Sequence, residues 1–165
     1  MSVITDFASD EQTLLMQGPR LGAIVVSAAS PGRSAETAAE GFAAMENAMS
    51  TRGEFLDNTL IGSILYQLDQ LAKADYRFAE YGKLATAPDA GGHALAQLGQ
   101  IADLLDRKSS PAEAIGYKQW VLSAATAASQ AGKEGGNFLG WGAVDVNDAE
   151  IAALAEITKT LRLQP

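Results

Sequence analysis

The sequence predicts an all-α protein, a compact alanine-rich bundle of about six to seven helices in a single domain over residues 1–165. Three observations predict it. Helix-start chemistry recurs along the chain, apolar residues return every three or four positions, and no stretch keeps the two-residue alternation of a half-buried strand. A chain of 165 residues buries roughly 70% of its extended surface, enough for one core without disulfides or metals.

Taken in order, Ser9-Asp10-Glu11-Gln12 reads as a capping box that opens a helix over 9–17. Gly18-Pro19 predicts a kink or break, because proline carries no N–H for the carbonyl four residues back. A helix over 20–29 follows. Ser34 before Ala35-Glu36 opens another over 34–50. Leu56, Leu60, Ile64, Leu68 and Leu71 recur at helical spacing, flanked by Ile61 and Leu65, and predict a helix over 54–82, interrupted after Ala72. Tyr66, Tyr76, Phe78 and Tyr81 are expected to lie packed against it.

After a loop over 85–92, the stripe Leu95, Leu98, Ile101, Ala102 and Leu105 predicts a helix over 93–107. Ser110-Pro111-Ala112-Glu113 is a second capping box, with proline at the first helical position, where its missing N–H costs nothing; it opens a helix over 111–132. Asn147-Asp148-Ala149-Glu150 caps a last helix over 147–162, with Val146 and Ile151 as a hydrophobic staple. There Ile151, Leu154, Ile157 and Leu161 are expected to face inward, with Glu150, Glu156 and Lys159 on the wet side. The alanine-rich stretches 35–48 and 123–131 are where backbones should come nearest, and Gly22, Gly41, Gly62 and Gly99 read as close-packing positions.

Composition excludes several function classes. Twelve Lys and Arg against twenty Asp and Glu leave a net charge of −8, a poor match to a phosphate backbone, so nucleic acid is not expected as a partner. The absence of cysteine removes disulfides, thiolate metal sites and thiol nucleophiles. A single histidine, His93, leaves one position for the usual general base, and no Gly-x-Ser-x-Gly elbow is present. No cation precedes Arg20, and the longest apolar run, Leu21 to Ala29, is interrupted by Ser27. That predicts a cytoplasmic chain without a membrane span.

The most unusual segment runs from Gly132 to Asp145, where five glycines surround Phe138, Leu139 and Trp141. Glycine frees the backbone while large side chains anchor it. These three residues either plug the bundle's own core or form an exposed binding loop for a partner. The spacing matches neither the P-loop nor Gly-x-Gly-x-x-Gly. Asp145, Asn147, Asp148 and Glu150 suggest a cation site through Asp145 and Asp148, but an EF-hand starting at Asp145 would put Ala149 and Glu150 at its fifth and sixth positions, where a ligand and glycine are needed. A di-iron site needs two Glu-x-x-His motifs, and Ala90 lies three residues before His93. Glu36 and Glu40 read as neighbours on a wet face. No cofactor is expected.

Ala131 to Gly142, with Lys133-Glu134-Gly135-Gly136 and Phe138-Leu139-Gly140-Trp141-Gly142, resembles a segment of an uncharacterised family of small all-helical bacterial proteins. Leu14-Leu15 through Pro19 to Ser30, and Glu40-Gly41-Phe42, are similar as well. The helix–turn–helix layout also resembles the tellurite-resistance TerB domain, although Ser30-Pro31-Gly32 stands where that family has an acidic turn. The resemblance implies a helical architecture and a stress-response setting, and carries over no catalytic residue. The expected function is therefore non-enzymatic, through contact with a protein partner or a second copy. The alternative is a bundle that binds a metal ion or small ligand weakly.

Overall fold

A computed structural model describes residues 1–30, 34–55, 57–73, 85, 87–131 and 148–164. Among them are six α-helices and no strand: α1 (Ser9–Ala29), α2 (Ser34–Ser50), α3 (Thr59–Lys73), α4 (Ala90–Lys108), α5 (Pro111–Ala131) and α6 (Asp148–Thr160). The all-α bundle read from the sequence is the observed fold. Helices α1 and α5 form its centre, with α2 laid along α5, α4 along α1, and α6 across α1, α4 and α5. Alanine explains the closest pairing: Ala44 and Ala48 of α2 and Ala124, Ala125 and Ala128 of α5 are fully buried. A Cβ on Gly22 would come within 3.2 Å of the Ala125 Cβ and the Val121 carbonyl, so α1 and α5 approach as closely as that glycine allows.

The predicted break at Gly18-Pro19 does not occur; α1 is one helix with Pro19 inside it. Proline leaves the Leu15 carbonyl without the N–H that would close its helical turn. The fully buried Tyr117 of α5 donates its hydroxyl to that carbonyl at 2.5 Å. Gly18 makes room: a Cβ there would lie 2.1 Å from the Tyr117 oxygen. Burial in this apolar slot pushes the phenol's pKa well above its ordinary value, so it stays a donor.

Trp120, one turn along α5, does the same for α2. Its indole N–H donates at 2.9 Å to the Ala48 carbonyl, in the last turn of α2, where helix carbonyls lack internal partners. The Tyr117 and Trp120 rings meet edge to face with centroids 5.5 Å apart. One helix thus satisfies orphan carbonyls on two neighbours.

The start of α1 also differs from expectation. Ala8, not Ser9, is the N-cap, and the Glu11 carboxylate, not Gln12, accepts the Ala8 N–H at 2.9 Å. Gln12 instead donates to the Phe7 carbonyl at 2.8 Å. Helix α4 begins three residues earlier than expected, at Ala90, and α3 begins at Thr59 with Asn58 accepting the Ile61 N–H at 3.2 Å. On α6 the inward face is Glu150, Ala153 and Ile157, followed by Leu161; Glu150 is buried and Ile151 is 53% exposed, the reverse of the sequence expectation for both. Tyr66, expected to be packed, is 63% exposed. Gly62 has open space where a side chain would sit, so close packing does not explain it. Val146, Asn147, Tyr76, Phe78 and Tyr81 lie outside the described residues.

The Ser110–Glu113 capping box is present, with the Ser110 hydroxyl donating to Glu113 at 2.8 Å and the Ser110 N–H donating at 3.3 Å. Glu113 also accepts the Ser2 N–H at 2.7 Å and the Thr59 hydroxyl at 3.0 Å, tying the N-terminal segment, α3 and α5 to one buried carboxylate. Burial opposes its ionisation, but these hydrogen bonds outweigh burial and lower its pKa from 4.5 to about 2. Because the folded value lies below the unfolded one, the stabilisation is full above the unfolded value and drains away as pH falls through the folded one. It amounts to about 3 kcal/mol. Urea midpoints should show the wild type losing about 2 kcal/mol of this between neutral pH and about pH 3, a component missing from Glu113→Gln. An identical acid profile in the variant would contradict this role.

Candidate functional site

A hollow lies where the C-terminal end of α1, the first turns of α4 and the first half of α6 meet. It encloses about 680 Å³. Val25, Ala28 and Ala29 of α1 form one wall, Ala90, Gly91, Gly92 and Leu95 of α4 the second, and Ala149, Ala152 and Ala153 of α6 the third. Val25, Ala90 and Ala153 are buried at its floor, while Ala29 and Ala152 are exposed at its edges. Among the described residues, small side chains on three converging helices leave this space unfilled. Its volume falls within the range of about 300–1,000 Å³ typical of binding sites.

The first turn of α4 is built around two glycines. A Cβ on Gly91 would stand 3.3 Å from the Ala28 Cβ, so Gly91 lets α4 approach α1. A Cβ on Gly92 would stand 2.5 Å from Asp89 Oδ1, so Gly92 leaves room for that carboxylate beside the helix start. Asp89, the N-cap, has left-handed backbone angles (φ 56°, ψ 28°), which aspartate tolerates better than most residues. The positive end of the helix dipole favours its negative charge there. Asp89 and Glu156 are the charged residues lining the groove, and both are exposed.

Phe138, Leu139, Trp141 and Asp145 lie outside the described residues. Asp148 is exposed in the first turn of α6. Among the described residues no group of three or more His, Asp or Glu stands close enough to hold a metal ion. His93 is exposed on α4, its backbone N–H donating to the Asp89 carbonyl at 3.0 Å. Glu40, expected on a wet face, is buried and accepts the Ser27 hydroxyl at 2.5 Å, joining α2 to α1. Trp120, which sequence reasoning passed over, proves to be a central packing residue; its helical spacing from Tyr117 was the available signal.

The other buried charge with a clear role is Lys118, whose ammonium lies 2.7 Å from Asp106. The Lys118 hydrogen bond, reinforced by Arg162, holds the Asp106 carboxyl below its ordinary pKa. Arg162 also pairs with Asp103, and so fastens the end of α6 to α4. No described helix is long and apolar enough to cross a membrane. No family model, curated protein or solved structure matches this chain.

Proposed function

We propose that this chain is a non-enzymatic binding protein that acts by contact, accepting an apolar segment of a partner protein in the groove between α1, α4 and α6. The observation that carries this reading is the groove itself: three helices converge on it with alanine and glycine, leaving a ligand-sized hollow with an apolar floor. The buried charges Glu113, Lys118 and Glu40 each join separate segments of the fold, a structural employment that supports the same reading.

The neutral apolar dye N-phenyl-1-naphthylamine tests the groove directly. Its fluorescence should rise saturably with added protein. Ala152→Trp, placed at an exposed wall position, should fill the hollow and weaken dye binding by at least about tenfold without loss of helical content. Binding that is absent from the wild type, or indifferent to Ala152→Trp, would overturn the reading.

A further inference from the structure

We infer that the groove's partner is a basic amphipathic segment, one that lays an apolar face on the alanine floor and sets lysine or arginine against Asp89 and Glu156. The inference rests on the groove being the contact surface and adds the chemistry of what it takes. Its ground is charge complementarity. Among the described residues, the groove is apolar except at its edge, where both charged lining residues are acidic and none is basic.

Several other carboxylates of the fold are already engaged. Glu11 pairs with Lys108, Asp103 and Asp106 with Arg162, and Glu113 with its ring of donors. Asp89 and Glu156 make no side-chain hydrogen bond or ion pair with another described residue. They stand on opposite walls, Asp89 at the start of α4 and Glu156 on α6, so a cationic segment lying in the groove meets negative charge on both sides. Asp89 is also preset: Gly92 leaves its carboxylate space, and the residue holds left-handed backbone angles to occupy it. An apolar hollow bordered by free charge of one sign selects an amphipathic ligand of the opposite sign, with the apolar contact supplying affinity and the charges supplying choice and encounter rate.

The test compares a short amphipathic leucine–lysine peptide with its leucine–glutamate counterpart. The full-length protein should bind the lysine peptide at least about tenfold more tightly at low salt, a preference that shrinks as salt screens the exposed edge. The double variant Asp89→Asn with Glu156→Gln should abolish most of that preference, while the wild-type protein binds the neutral dye. Equal binding of both peptides, or a preference untouched by the double variant, would overturn the inference while dye binding still supported the groove. Loss of dye binding itself would strike the groove reading instead. A concentration-dependent dimer abolished by Ala152→Trp would name a second copy as the occupant. Dye binding that appears only after residues 132–147 are replaced by a glycine–serine linker would name the chain's own segment. Either result would overturn the basic-partner inference.

Discussion

Replacing Trp120 with alanine is expected to cost about 4–5 kcal/mol of folding stability. The indole is fully buried, packs edge to face on Tyr117, and caps the Ala48 carbonyl. Alanine would remove all three contributions and leave a cavity between α2 and α5, whose small alanine side chains cannot move in to fill it. Trp120→Phe separates the parts, because it keeps much of the apolar volume while losing the N–H donor. Its cost should fall to about 1–2 kcal/mol. Urea unfolding read by circular dichroism checks both, and a Trp120→Ala loss below that of Trp120→Phe would contradict the packing assigned to this residue.

Gly18→Ala is the second large effect, with an expected cost of about 4 kcal/mol. The added methyl would sit 2.1 Å from the Tyr117 oxygen. The ring, held on all sides by the core, would have to withdraw and leave the Leu15 carbonyl without a donor. Tyr117→Phe alone should cost about 1–3 kcal/mol, the penalty for an orphaned buried carbonyl. The two changes share one contact, so they should not add: the double variant lacks the oxygen that the methyl strikes, and should be more stable than the sum of single costs implies by at least about 1 kcal/mol. Simple additivity would show that the hydroxyl does not complete α1 at Pro19.

These two sites show where sequence reading stops. Pro19 was legible as a helix breaker because its missing N–H is a property of the residue itself. The donor that heals the break stands 102 positions away along the chain, at Tyr117, and only packing brings it there. The Ser110–Glu113 cap was legible for the same local reason, whereas the Ser2 and Thr59 bonds to Glu113 were not. On α6, apolarity pointed to Ile151 as an inward residue; the bundle turns the helix so that Glu150 faces in. The groove had no sequence signature, because alanine reads alike whether it seals a helix contact or lines a hollow. Asp89 and Glu156 come together only through the meeting of α4 and α6.

The proposed working surface of this protein is the hollow between α1, α4 and α6. Mapping backbone amide chemical shifts by nuclear magnetic resonance during titration with N-phenyl-1-naphthylamine tests it most directly. The largest changes should fall on Ala90, Gly91 and Gly92 of α4 and on Ala149, Ala152 and Ala153 of α6, and should vanish in Ala152→Trp. Changes centred instead on the exposed Phe42 and Met49 of α2, or on no contiguous surface, would contradict it.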